Sequence, residues 1–318
     1  MRPGTTLWSF GTVYEGCRCT CMARLSPYKS AAKRIRKQMK KRVETALEIV
    51  SKEPMTDSEV HKARQALKKA RASLRLLRPA LSASAYRREN TRLRDAARPL
   101  SATRDAHVVP DTLRLVAHHC GRPVSALGVK LKQDCSRVEP KDLAHSRRLL
   151  REARSRLQDL DLEDDNWKVV GPALRQVYRA GRRALADARD QPTPEAFHEW
   201  RKQAKYLRYA LETLEPIWPS LMESLAHEAH ELTNCLGNEH DLTVLREQTG
   251  GAEPLAALIS RFQHELRQQA LNLGAKLYEE KPKVFTHRFA QYWKDWRHPR
   301  RPGRSASATP RSARPLPP

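Results

Sequence analysis

Acidic residues, aromatics and long apolar runs are all scarce in this chain of 318 residues. Asp and Glu number 36 against 60 Lys and Arg, a formal net charge of +24. A field of that size repels itself unless counterions or a polyanion neutralise it, so nucleic acid, polyphosphate and anionic membrane are the candidate partners. Aromatics make up 6 % of the residues and no run of alternating β-branched residues occurs, which argues against a sheet protein. Nothing approaches the roughly 18 consecutive apolar residues of a membrane span. There is no glycine-rich phosphate loop and no Gly-x-Ser-x-Gly elbow. Zinc-finger spacing, an RNP-like strand and a clear helix-turn-helix are missing too, which weakens the case for a nucleic-acid module. The six cysteines, at 17, 19, 21, 120, 135 and 235, form no disulfide framework, which fits a cytoplasmic protein. Cys17-x-Cys-x-Cys21 lacks both the Cys-x-x-Cys spacing and the second pair of a zinc knuckle.

What is present is Arg, Ala, Leu, Glu and Lys, a helix-forming composition in a chain long enough to bury one large core or two. Residues 193–211 organise the rest. Thr193 suits a helix N-cap and Pro194 the first helical position. His198, Arg201, Lys205 and Arg208 fall at i, i+3, i+7 and i+10, on one helix face, while Phe197, Trp200, Ala204, Leu207 and Leu211 take the other.

The pattern occurs twice. Thr56, His61, Arg64, Lys68, Arg71 and Leu74 match the second stretch at an offset of 137, and Thr56 with Glu59 forms a capping box. Leu100-Ser-Ala-Thr-Arg-Asp105 matches Leu236-Gly-Asn-Glu-His-Asp241 at an offset of 136. Lys33, Lys37, Lys40 and Lys41 match Arg175, Arg179, Arg182 and Arg183 at 142. Three matches in one order argue for a duplicated helical unit.

The His-x-x-Arg-x-x-x-Lys-x-x-Arg helix in both halves, the Leu-x-x-x-x-Asp element and Tyr178-Arg-Ala-Gly-Arg-Arg183 resemble the CHAD family, the conserved histidine α-helical domain, over roughly residues 29–297. The resemblance implies two pseudo-symmetric helical bundles whose basic inner surfaces bind inorganic polyphosphate. It places His61, Arg64, Lys68 and Arg71, then His198, Arg201, Lys205 and Arg208, at the family's signature positions. Two departures stand out: Ser101 opposite Gly237, and Arg104 opposite His240. CHAD-like domains are sometimes joined to triphosphatase domains with a Glu-x-Glu-x-Lys strand motif, which this chain lacks.

The expected fold is therefore all-α: two repeated bundles, 29–139 and 140–297, sharing a basic groove or channel. Residues 1–28 have no helical period, and Met22 is the expected start; a native peptide from residues 2–20 in mass spectrometry would overturn that. The Arg-, Pro- and Ser-rich tail, 298–318, should be disordered. The periodicity predicts helices over about 29–50, 57–77, 83–98, 111–135 with an interruption at Gly121-Arg-Pro123, 141–160, 168–189, 193–211, 220–236, a short one after Asp241, 254–279 and 284–296. A turn is expected around Arg104-Asp105.

The cations from His61 to Arg71 span about 15 Å, which suits a linear anion. Arg supplies bidentate donors to phosphate and Lys a point charge. Lys33, Lys37, Lys40, Arg175, Arg179 and Arg182 extend the expected polyphosphate site. The two histidines either pack or touch the anion; among cations they should be hard to protonate until a polyanion binds. Asp105 and Asp241 are candidate bases, but a cap or an arginine-orienting partner is the expected role. His118-His119 and His227 with His230 are candidate metal ligands, though surface positions are expected. No cofactor, metal or catalysis is expected. Binding to polyphosphate, including at polyphosphate granules, is the expected function. A general nucleic-acid binder is the rival, opposed by Ala72 standing where Tyr209 would stack on a base. An accessory domain to a metal- or phosphate-dependent hydrolase and a granule coat acting through a partner are further alternatives.

Overall fold

The computed structural model describes residues 25–27, 29–52, 54–127, 139–160, 162, 167–250 and 253–298, without the side chains of 101–107. Cys17–Cys21 and the basic tail from 299 onward therefore lie outside the described residues. Among those described the protein is all-helical, with no strand. The helices are α1 (Ala31–Val50), α2 (Asp57–Leu76), α3 (Ala83–Ala97), α4 (Ala102–His119), α5 (Pro140–Arg156), α6 (Trp167–Asp190), α7 (Pro194–Leu214), α8 (Pro219–Gln248), α9 (Leu255–Leu277) and α10 (Pro282–Arg297).

Local chemistry sets most boundaries. Ser30, Thr56, Ser82 and Thr193 each accept a backbone N–H three residues on, so side chains cap α1, α2, α3 and α7. The capping box at α2 is complete: Glu59 N–H donates to Thr56 Oγ1 at 3.3 Å, and Thr56 N–H donates to Glu59 Oε2 at 3.0 Å. Proline opens α5, α7, α8 and α10, where its missing N–H costs nothing.

Two expectations about turns fail. Residues 102–119 run helically through Arg104 and Asp105, and the chain instead breaks at a short 3-10 turn, Pro99–Ser101. In the second half there is no break: α8 is one helix of 30 residues, replacing the expected helix 220–236 and its short successor. Pro99 cannot donate into a helix and its ring clashes with the preceding turn. Cys235, its counterpart at the offset of 136, has neither defect. An isolated helical glycine such as Gly237 costs only about 1 kcal/mol relative to Ala.

α1 packs on α2, α6 on α7, and α2 meets α7. The main core runs through α1–α3 and α5–α10, with Ile35, Met39 and Val43 of the predicted α1 stripe fully buried. Trp200 is fully buried as well, and Gly274 makes room for it: a Cβ there would sit 2.3 Å from the indole. A smaller core joins α4 to α8 and α9 through Leu113, Val116, Leu242, Leu245 and Ile259. Both cores draw residues from either side of position 140.

Candidate anion-binding cavity

Where α2, α7 and α8 converge lies a cavity of about 500 Å³. From α2 it takes Arg64, Lys68 and Arg71; from α7, His198, Arg201, Lys202, Lys205, Tyr206 and Tyr209; from α8, His240, Asp241, Val244 and Gln248; and from α4, Val108. Six cationic side chains and two imidazoles thus face one carboxylate.

The two sequence motifs meet here. Arg64 donates to the carbonyl of Leu100 at 2.6 Å, at the start of the first Leu-x-x-x-x-Asp element. Arg201, its counterpart, lies on the second: a Cβ on Gly237 would stand 3.3 Å from Arg201 Nη2. The glycine therefore serves the close approach of a guanidinium, not a turn. Asp241 is half-buried inside α8, about two turns before its end, so of the two roles expected for it, cap or arginine-orienting partner, the helix cap does not apply. Asp105 lies in α4, with its side chain outside the described residues.

Beside the cavity, around Tyr206 and Tyr209, lies a charged network. Glu212 pairs with Lys69 at 2.9 Å and with Arg208 at 2.9 Å. Burial pushes the Glu212 carboxyl up, but Lys69 and Arg208 outweigh it and hold it below the usual range. Arg42 of α1, buried, donates to Ser73 Oγ at 2.6 Å and to the Lys69 carbonyl at 3.0 Å; burial lowers its pKa. The Arg75 guanidinium lies over the Tyr206 ring at 3.8 Å, so one face of that ring is occupied. Tyr209 is buried, with Lys69 5.7 Å from its ring centre.

The histidines behave differently from each other. His198 is exposed at the cavity, its ring 4.7 Å from that of His240. The partial loss of water at the cavity wall, then Arg201 and Lys202, lower its pKa below the ordinary value, the direction expected of an imidazole among cations. His61 is exposed and does not line the cavity.

Several expected members are elsewhere. Arg208 turns away, bonding Glu212 and meeting His230 Nδ1 at 2.7 Å. His230 is accordingly half-buried rather than a surface residue. Lys33, Lys37 and Lys40 line a separate cavity on α1, because that helix turns its apolar stripe inward and its cations out. Arg179 and Arg182 line a third, of about 440 Å³, between α6 and Tyr278–Glu279, and Arg175 is exposed on α6. Lys202, Tyr206 and His240 were missed by sequence reasoning. Read as helix, His240, Asp241, Val244 and Gln248 share one face, which is the signal that would have found the α8 wall.

Helix geometry explains the selection. At about 100° per residue, the cavity residues of α2 occupy an arc from about 80° to 20° behind its histidine position. Those of α7 run from about 60° behind it to 80° ahead. The same motif is presented with a roll of about 60° between the two helices.

Among the described residues, no group of three or more His, Cys, Asp or Glu side chains is placed to hold a metal ion. His119 instead stacks on Phe262 with ring centres 3.8 Å apart and pairs with Glu265 at 3.2 Å. No described helix is long and apolar enough to cross a membrane.

The family model of the CHAD domain matches residues 31–250. The chain belongs to the CHAD family. That match begins at the first residue of α1 and ends just past α8, so it contains the whole cavity; α9 and α10 lie beyond it. No curated protein matches the chain at a significant level.

Proposed function

We infer that this CHAD protein is a non-catalytic binder of inorganic polyphosphate, seated in the cavity between α2, α7 and α8. The observation that carries this reading is the convergence of six cations from both signature helices on one cavity with a single carboxylate. The two halves, divided near residue 140, act as pseudo-symmetric repeats whose signature helices share this groove. Arg64, Arg71 and Arg201 supply forked donors to phosphate oxygens, and Lys68, Lys202 and Lys205 supply point charges. Asp241 orients the cations around it. His198 takes up a proton as the anion arrives, since a polyanion reverses the surrounding positive field.

Nucleic acid has the same charge attraction, but the aromatic rings on hand are committed: Tyr206 carries Arg75 on one face, and Tyr209 is buried. Stacking platforms for bases are thus poorly available. Association with polyphosphate granules in the cytoplasm follows from the same affinity.

The test is competition binding of labelled long-chain polyphosphate against short polyphosphate, DNA and RNA, with salt varied. A double variant, Arg201→Ala with Lys205→Ala, runs beside wild type. Preference for polyphosphate at equal phosphate concentration, lost in the variant, is the expected result. Equal competition by nucleic acid with the variant unaffected overturns the reading and makes the surface a general polyanion patch.

A further inference from the structure

Arg267 of α9 reaches, from behind the central cavity, the residue that precedes each of its two histidines. Its Nε and Nη2 donate to Glu239 Oε1 at 3.0 and 2.7 Å, and its guanidinium lies 4.8 Å from the ring centre of Phe197. Glu239 precedes His240 on α8 and Phe197 precedes His198 on α7, and the two imidazoles stand 4.7 Å apart where they line the cavity. Arg267 Nη1 also donates to the Pro192 carbonyl at 3.5 Å, just before the Thr193 cap of α7. One turn earlier on α9, Gln263 donates to the Glu239 carbonyl at 3.3 Å and to Thr243 Oγ1 at 3.0 Å. Neither Arg267, Gln263, Glu239 nor Phe197 lines the cavity itself.

We propose that Arg267 is a positioning residue of the central cavity: by clamping Glu239 and Phe197 together from behind, it fixes the α7 wall against the α8 wall and sets His198 against His240. The ligand whose affinity this serves rests on the polyphosphate reading; the clamp does not. Phe197 and Glu239 are both buried, and a buried carboxylate needs a cation with good geometry. Burial pushes the Glu239 carboxyl up, and Arg267 opposes this through its hydrogen bonds and its charge, with Arg201 adding to it. Stacking on Phe197 then turns the same guanidinium into a link between two helices. The first half has no such link by sequence: Val60 stands at the position of Phe197 and Thr103 at that of Glu239. The clamp comes instead from α9, which begins after the family match ends at residue 250. A helix outside the matched region therefore sets the spacing of side chains inside it, and a site whose walls are held loosely loses affinity.

Two measurements on the full chain test this: the nuclear Overhauser contact between the His198 and His240 rings without ligand, and calorimetry with short-chain linear polyphosphate. The variants are Arg267→Met, which keeps the stem and removes the fork, Arg267→Lys, and Glu239→Gln. Arg261→Met is the charge-matched control on α9, since Arg261 is exposed and pairs only along its own helix with Glu265. Circular-dichroism melting checks that each is folded; should Arg267→Met melt early, Glu239→Gln carries the same test, because it weakens the clamp and keeps the packing. Arg267→Met should lose the ring contact and bind polyphosphate about tenfold more weakly, the low end for partners that orient a site's residues. Arg267→Lys should recover part of both, and Arg261→Met should change neither. An Arg267→Met protein that keeps the ring contact overturns the proposal, whether its affinity falls or not, because any loss is then one of charge alone. So does one that loses the contact and binds like wild type, or an equal loss of affinity in Arg261→Met. If wild type shows no preference for polyphosphate over RNA while Arg267→Met still loses the contact, the clamp stands and the polyphosphate reading falls.

Discussion

α2 and α7 carry the same motif and do different things with it. On α2, Arg71 lines the cavity and His61 stays outside; on α7, His198 lines it and Arg208 stays outside. Arg208 is drawn off by Glu212 and His230, whereas Arg71 donates to Asn90 Oδ1 at 3.1 Å. The position that holds Glu212 on α7 holds Arg75 on α2, and the two serve the contact between the helices in different ways, one by ion pairing and the other by stacking on Tyr206. Lys69 and Ala72 of α2 stand opposite Tyr206 and Tyr209 of α7 in the alignment, so at these positions the rings come from α7 alone. A repeated motif therefore fixes which face is cationic, while the residues between its members decide how far that face is rolled into the site.

The largest effect that sharpens this comparison concerns the contact between α2 and α7. Glu212→Ala strips the shared partner from Lys69 and Arg208 and should cost about 3 kcal/mol. Arg75→Ala, the matched change on α2, removes one cation–π contact and should cost about 1 kcal/mol. Urea denaturation midpoints measure both, and equal costs would erase the asymmetry.

Next comes binding. Arg71→Ala should weaken polyphosphate affinity about tenfold and lower the salt slope by about one. Arg208→Ala should leave that slope unchanged, since its guanidinium faces Glu212 and His230. Titrations over a salt series decide; a slope that falls in the Arg208 variant instead would show that the helix rolls on binding.

A smaller effect is expected from pH. In the free protein the His198 pKa is depressed by burial and by Arg201, Lys202 and Lys205, with Glu199 opposing and His240 beside the ring. A bound polyanion raises its pKa, so the complex holds more protons. Affinity should thus rise, by about threefold, as pH falls from 8 toward 6. His198→Gln should flatten that dependence and His61→Gln should not. Stability without ligand has the opposite sign. The unfolded histidine titrates near its ordinary value, about 6.5, and the folded one lower, so the unfolded state binds more protons in that window. The ligand-free protein should lose stability as pH falls from about 7 toward 5, with His230, also depressed by burial and by Arg208, adding to the loss. Thermal melts with and without polyphosphate measure both signs.

The smallest effect tests the close approach at α8. Gly237→Ala puts a methyl 3.3 Å from Arg201 Nη2, a shift of a few tenths of an ångström for a buried side chain. Helix propensity gains about 1 kcal/mol and the displacement of Arg201 offsets it. Stability should move by less than that, while polyphosphate affinity falls slightly; a stability gain with unchanged affinity would show that Arg201 does not depend on the glycine.

The sequence by itself determined the class of the fold, the edges of most helices and the chemistry of the signature face. Those are local matters: apolar spacing, caps such as Thr56 and Thr193, and the 3.6-residue period that puts Arg64 with Lys68 and Arg201 with Lys205. It misplaced the break in the Leu-x-x-x-x-Asp elements, because whether Gly237 interrupts a helix depends on what packs against it, here Arg201. Only the tertiary structure decided which cations share a cavity. Lys33, Lys37 and Arg179 look equivalent to the signature residues in charge and spacing, yet burial of the α1 and α6 apolar stripes turns them to other walls. It also enlisted Lys202, Tyr206 and His240, since membership of a site depends on how each helix is rotated about its axis. That rotation is set by side chains far apart in the chain, such as Trp200 against Gly274 and Glu212 against Lys69.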